Sequence, residues 1–368
     1  MNIKKSAIML MLLFSAVPCL SSAADDIIVK PQTDPAVQQD HRWRPRPEIC
    51  RWYNGAEGAV SLTFDDGTLD HFEKGMELWA RHGWKVTLGI VSTTIVKRPD
   101  WRSKLQDAFD QGHEIANHTK THPNLSESSE EMVRDEIGSC HQFLLDNVQG
   151  LEAVDTLIYP YEAFHYGNFH TAAEFGYIFA RSGPQEREDI AQRNASANPP
   201  WMHLHSWANQ DILPMWMWDS TTDLAVSKQG WMIEQCHGIG EAGEPGVGWS
   251  PRPLADFEEH YRYLASFGER VWVAPIREVG RYLLESRQFT IEATDFDSDY
   301  MIAAISRNAD YQPYWDEISV QVEIPEDWTD AEVLADGQIL SAFRRSGKLL
   351  IANLPAGTSE LIVRRARP

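Results

Sequence analysis

The chain has 368 residues, 43% of them hydrophobic and 24% charged, and a formal net charge of −21. That is enough apolar chain to bury a large core and leave room for a second domain, so a soluble globular protein is the default. The carboxylate excess repels nucleic acid and anionic polymers and favours neutral or cationic partners, although it also serves plain solubility.

Lys4 and Lys5 precede an apolar run from Ala7 to Val17, and Ser21-Ser22-Ala23-Ala24 offers small residues for cleavage. Residues 1–24 therefore read as a secretory signal peptide, which predicts a secreted or periplasmic protein. The run is too short to span a bilayer comfortably, and no later stretch reads as transmembrane. Beyond this leader only Cys50, Cys140 and Cys236 remain, an odd number that rules out a fully paired disulfide framework. A Cys50–Cys140 bridge stays open. Cys236 lies in an apolar strand pattern and reads as a buried small residue rather than a nucleophile.

Residues 25–51 are polar and carry Pro31, Pro35, Pro45 and Pro47, the composition of an extended or mobile lead-in. From Trp52 onward, strands and helices alternate. Val60, Leu62 and Phe64 alternate with Ser61 and Thr63 in a strand over 59–65 that ends in Asp65-Asp66-Gly67. A helix follows with Leu69, Phe72, Met76 and Trp79 on one face and Gly83 at its end. Then come a strand over 85–91, a helix marked by Trp101, Leu105 and Phe109, and a short strand over 114–117 that runs into His118. Ser128 with Glu131 marks a capping box for a helix whose stripe is Val133, Ile137, Cys140 and Leu144. Further strands are expected over 153–161, 177–181, 231–237 and 271–274, with a helix carrying Leu254, Phe257, Tyr261 and Leu264 among them. This order predicts a largely parallel sheet, open or closed into a barrel, over residues 52–287, with chemistry at the C-terminal ends of the strands.

Between Gly183 and Leu213 lies a long stretch of little periodicity that holds Trp201, His203, His205 and Trp207. Loops of this length are usually functional or disordered, and tryptophans suit both stacking on sugars and core packing. His203 and His205 read as structural rather than as a second metal site. From residue 288 the helical stripes cease, and strand-like runs over 289–293, 300–305, 318–324, 331–334, 349–354 and 359–363 predict a small all-β sandwich. It reads as a packing domain or a sugar-binding module.

The Asp65-Asp66 pair at the mouth of an apolar strand is either a turn or a metal and acid-base site, because carboxylates are rarely left unpaired in a core. A period of two sends them to opposite sides of the chain. His118 and His122, spaced i, i+4, would lie on one side of one turn of chain. Two imidazoles and one carboxylate make a site for zinc or a similar divalent ion, and the second carboxylate is then free to take a proton from water.

These residues resemble the NodB-type polysaccharide deacetylases of carbohydrate esterase family four. Thr63-Phe64-Asp65-Asp66-Gly67 is similar to the family's first motif and His118-Thr119-Lys120-Thr121-His122 to its second. Tyr159-Pro160-Tyr161 is similar to the third, and Cys236-His237 to the histidine that ends the last. The likeness covers roughly residues 58–287. It implies an irregular (β/α) barrel with fewer strands than the eight-fold form, followed here by the β-sandwich. It also implies Asp65 as general base, His237 as general acid, and Asp66, His118 and His122 as ligands of a divalent metal, zinc first and cobalt or nickel next. The Tyr161 N–H would help hold the oxyanion, and Trp201 and Trp207 are candidates for sugar contact. The substrate implied is an acetylated poly- or oligosaccharide, cleaved at an N-acetyl or O-acetyl group.

Two departures stand out. Ile158 occupies a third-motif position where the family often has an arginine that orients the base, and Glu162 replaces the usual glycine. No fourth motif of the form D-x-x-D-W is found, although Asp219 and Asp223 lie in its region. Arg181 on the next strand either substitutes for the missing arginine or pairs with an outer carboxylate. The rival reading is a carbohydrate-binding protein that keeps the barrel but has lost turnover through that missing arginine.

Overall fold

The computed structural model describes residues 43–183, 186–210 and 212–366. The signal-peptide reading and most of the lead-in fall outside these. The last residues of the lead-in do not run free: β1 (Glu48–Ile49) pairs antiparallel with a C-terminal strand, through Glu48↔Gln321 and Ile49↔Val320. Just before it, the Trp43 ring packs edge-on against Trp328 at 5.1 Å. A two-residue strand carries no readable periodicity, which is why this segment looks like a linker in the sequence.

The barrel follows in βα order: β2 (Gly58–Phe64), α1 (Met76–His82), β3 (Thr87–Ile90), α2 (Ser92–Val96), α3 (Trp101–Asp110), β4 (Glu114–Asn117), α4 (Glu130–Asn147), β5 (Thr156–Ile158), α5 (Gly167–Glu174) and β6 (Phe179–Arg181). It continues with α6 (Arg187–Asn194), β7 (Trp207–Ala208), α7 (Met215–Ser227), β8 (Trp231–Cys236), α8 (Leu254–Ser266), β9 (Val271–Val273) and α9 (Ile276–Ser286). The strands run parallel in the order β6-β5-β4-β3-β2-β8-β7, with β9 branching off β2. Among the described residues the sheet therefore has eight strands rather than fewer, but β7 is two residues long and β9 lies off the path. β2 is buried at every position, as expected of a strand covered on both faces.

Alternation along β2 and β8 separates two cores. Val60, Leu62, Phe64, Met232 and Cys236 pack outward with the helices, whereas Ala59, Trp231 and Ile233 join Trp52, Phe179 and Leu283 in a second cluster. The stretch after Gly183 is not an aperiodic loop. It contains α6, and Leu204 then lies beside Arg181 in a parallel bridge that extends the sheet past β6. Helix α4 begins one residue later than the capping box suggests: Ser129, not Ser128, is the N-cap and accepts the Met132 N–H, while Ser128 donates to the Asn124 carbonyl.

The C-terminal strands are β10 (Phe289–Phe296), β11 (Tyr300–Arg307), β12 (Glu317–Glu323), β13 (Ala331–Ala335), β14 (Gln338–Ile339), β15 (Arg344–Ser346), β16 (Leu349–Pro355) and β17 (Glu360–Arg365). They form two antiparallel sheets, β1-β12-β16-β15 and β10-β11-β17-β13-β14, around a core that includes Met301, Val320, Trp328, Val333, Leu350 and Val363. The three described cysteines are free and buried, so no Cys50–Cys140 bridge forms. No helix among the described residues is long and apolar enough to cross a membrane.

Candidate active site

The strand period carries Asp65 to the inner face of β2, where it is 2% exposed. Asp66 does not simply point the other way. Its φ of +79° turns the chain sharply, and both carboxylates reach His118: Asp65 Oδ2 lies 4.0 Å and Asp66 Oδ1 3.7 Å from Nε2. A non-glycine residue in the left-handed region is uncommon, and here Asp66, Thr119, His122, Tyr161 and Glu162 all adopt it.

His118 and His122 meet through a loop rather than a helical turn, with ring centroids 4.7 Å apart. The loop is held from below. Asn117 Oδ1 accepts the Thr119 N–H at 2.7 Å, Thr119 Oγ1 accepts the His122 N–H at 3.0 Å, and Glu136 of α4 accepts both the N–H (2.7 Å) and the hydroxyl (2.5 Å) of Thr121. Asn117 itself is fully buried.

The donor set fits a divalent ion. Asp66 Oδ1 stands 3.7 Å from both His118 Nε2 and His122 Nε2, and the three ligand atoms lie within 4.8 Å of one another. These gaps are too long for hydrogen bonds, whereas ligands at about 2.0–2.1 Å around one tetrahedral ion stand roughly 3.4 Å apart. His118 Nδ1 is 2.9 Å from the Ile158 carbonyl, which only accepts, so Nδ1 carries the proton and Nε2 offers its lone pair to the cluster. Burial holds the His118 imidazole below its ordinary value and therefore neutral, as a ligand must be.

Arg181 decides between its two readings. Its Nη2 donates to Asp65 Oδ2 at 2.6 Å, and both side chains are buried. Cα pairing puts Arg181 directly beside Ile158 on the neighbouring strand, so the cation reaches the base from one strand further on. Burial alone would push the Asp65 carboxyl up, but the Arg181 charge, with His118 and His237, outweighs it and holds the group at about 2. Asp65 Oδ1 is buried without a hydrogen-bond partner among the described residues. His237 Nε2 lies 3.9 Å from Asp65 Oδ2, and burial keeps this imidazole below its ordinary value despite the two aspartates.

Of the aromatic candidates, Tyr161 stands at the site, 66% exposed with its ring 4.7 Å from that of His122. Trp201 does not: it packs on Phe179 at 5.5 Å, with the Arg287 guanidinium 5.8 Å from its ring, in the inner core. Trp207 lies under Arg187 at 5.6 Å and packs against the main core. The aromatic that sequence reasoning missed is Trp249, 61% exposed and edge-on to His237 at 4.8 Å. Its only signal is position, twelve residues past His237 in a glycine-rich run.

The fourth-motif region is also displaced. Asp219 pairs with His260 at 2.9 Å and Asp223 accepts the Tyr263 hydroxyl at 2.9 Å, so neither is hydrogen-bonded to His237. His203 stacks on Phe169 and His205 accepts into the fold through its backbone, in keeping with structural roles.

The barrel thus brings a buried Asp–Arg pair beside an Asp-His-His cluster that could hold a metal ion. Residues 53–180 match the family described as Polysaccharide deacetylase. A solved structure from Mycobacterium smegmatis, described as that of a "putative polysaccharide deacetylase", shares the fold at a TM-score of 0.50 and 14% identity, over 65% of this chain and 94% of that one. A gellan lyase of a Bacillus species is 25% identical over 334 residues, 86% of this chain and 13% of that protein. A peptidoglycan-N-acetylglucosamine deacetylase of Bacillus cereus is 34% identical over 93 residues, 25% of this chain and 32% of that protein. The chain thus spans less than two thirds of the length of either relative.

Proposed function

We propose that this protein is an exported, metal-dependent carbohydrate deacetylase that hydrolyses N-acetyl or O-acetyl groups on a poly- or oligosaccharide. The observation that carries the reading is the buried Asp65–Arg181 pair facing the Asp66-His118-His122 cluster. A cation at hydrogen-bonding distance keeps Asp65 ionised, and so able to accept a proton, at any pH near neutrality. Zinc is the first candidate for the cluster, with cobalt and nickel next; a divalent ion held there would polarise the acyl oxygen and activate water.

The chain's own residues then account for the protons. Asp65 accepts one from the attacking water. His237, neutral at rest, gives a proton to the departing nitrogen or oxygen only after receiving one, and the Asp65 carboxyl 3.9 Å away would supply it. Transfer from a carboxylic acid to an imidazole is downhill, so the same proton passes from water to the leaving group and both side chains return to their starting states. Tyr161 would contribute its backbone N–H to the oxyanion, and the exposed rings of Tyr161 and Trp249 suit contact with sugar faces.

The carbohydrate-binding alternative drew its support from the missing arginine, and Arg181 on Asp65 removes that motive. An acetate-release screen over chitooligosaccharides, acetylated xylan and peptidoglycan fragments, with zinc, cobalt or nickel supplied, tests the function. Release from at least one is expected; saccharide binding with no release under any metal would favour the binding protein instead. Export is tested separately, by fractionating cells and sequencing the N-terminus of the mature protein, which is expected to begin near residue 25.

A further inference from the structure

Directly after the Asp65-Asp66-Gly67 turn, Thr68-Leu69-Asp70-His71 leads into a π-helical turn over His71–Gly75, a local distortion that recurs at functional sites. Asp70 and His71 are buried at 2% and 0% exposure. Both are aimed at the segment that carries His237. His71 Nε2 lies 2.9 Å from the His237 carbonyl oxygen, and since a carbonyl only accepts, Nε2 carries the proton and donates it. Asp70 Oδ2 accepts the Ile239 N–H at 2.5 Å.

The same two-sided grip continues along the loop. The Asp70 N–H donates to the Gly246 carbonyl at 3.3 Å, and Gly248 passes so close to Thr68 that a Cβ there would stand 3.0 Å from Thr68 Oγ1. Between His237 and Trp249 the chain has glycines at 238, 240, 243, 246 and 248, a composition that loses much backbone freedom on ordering and needs anchors to hold one shape. Asp70 Oδ1 and His71 Nδ1 are left buried without partners among the described residues, so neither side chain is placed for its own satisfaction.

We propose that Asp70 and His71 are positioning residues which clamp the His237–Trp249 loop, so that the segment bearing the metal and base aspartates also sets the proton donor 3.9 Å from Asp65. The catalytic consequence rests on the deacetylase reading; the clamp itself does not. A role in fold stability alone would affect all substrates equally.

The test uses the full chain. His71→Phe keeps a ring against Phe64 but removes the donor, His71→Gln offers an N–H in nearly the same place, and Asp70→Ala removes the second anchor. Hydrogen exchange of residues 237–249 in the metal-free protein reads the clamp without activity. It should quicken by about tenfold or more in His71→Phe and Asp70→Ala and return toward wild type in His71→Gln. With metal, His71→Phe should lower kcat on an amide substrate by roughly 10- to 100-fold, with KM and bound metal unchanged, while an aryl acetate, whose leaving group needs little protonation, changes less than about threefold. Unchanged exchange in both His71→Phe and Asp70→Ala, or equal proportional losses on amide and ester, would overturn the proposal. Should wild type cleave neither substrate, the deacetylase reading fails while exchange still decides the clamp. Should His71→Phe not fold, Asp70→Ala carries the same comparison.

Discussion

Asp65 and Arg181 form the pair on which the site turns, and each half explains the burial of the other. Removing the cation leaves a carboxylate in a dry site, and breaking such a pair typically costs about 3–5 kcal/mol. Arg181→Met should therefore lower stability by that order in urea titration and reduce turnover by roughly 10²-fold or more, while metal content stays stoichiometric, because the partner of Arg181 is Asp65 and not one of the three ligands. His118→Ala and His122→Ala should behave oppositely. Each removes one of three protein ligands, so elemental analysis should find the metal lost together with activity. Retained stoichiometric metal in either variant would show that the cluster is not the binding site.

At the scale of elements, α7, α8 and β8 enclose a buried charge network outside the barrel. His260 lies between Glu234 (3.1 Å) and Asp219 (2.9 Å) with Trp218 stacked on its ring at 4.3 Å, and Glu234 also accepts from Trp218 and Thr221. Burial works against both charges, but Glu234 raises His260 above its ordinary value of 6.5 and His260 holds Glu234 below its ordinary value of 4.5. The Glu234 share of stability is present above 4.5 and is lost as pH falls through its depressed folded value. The His260 share is complete below 6.5 and is lost as pH rises through its elevated folded value. Urea titrations of wild type should thus peak between these limits and weaken above pH 6.5, and Glu234→Gln should flatten that alkaline decline. A similar support acts on the ligand loop. Glu136→Gln should weaken metal binding by about 10- to 100-fold in chelator competition, since it disturbs the two Thr121 bonds that shape residues 119–122.

These elements also show what could be read from residues alone. β2, β4 and α8 carry enough alternation or helical spacing to be placed within a residue or two, and Asp65, Asp66, His118 and His122 follow from motifs at strand ends. Arg181 could be named but not assigned, because its partner depends on the register of β5 against β6. Trp201 stays open between sugar contact and core packing in the sequence, because an indole has the same letter in a core as on a surface; it packs on Phe179. Asp219 lies in the fourth-motif region of the sequence, and α7 turns it to His260.

For the whole molecule, the first and last strands among the described residues, β1 and β17, both belong to the sandwich, and α9 is the plate against which the sandwich docks. Glu285 of α9 accepts from the Tyr311 hydroxyl (2.6 Å) and from the N–H groups of Tyr314 (2.7 Å) and Trp315 (3.2 Å), and the Tyr282 hydroxyl donates to the Cys50 carbonyl at 2.8 Å. Barrel and sandwich should therefore unfold in one calorimetric transition, and Glu285→Ala, which strands three donors, should cost on the order of 2–3 kcal/mol; two separate transitions in wild type would contradict the shared plate. The central claim concerns chemistry at Asp65, and one comparison tests it most directly. Wild type and Asp65→Asn, each loaded with zinc, are assayed for metal content and for acetate released from an acetylated oligosaccharide. The account predicts equal metal in both, acetate from wild type and almost none from the variant; equal release from the two proteins, or loss of metal from Asp65→Asn, would contradict it.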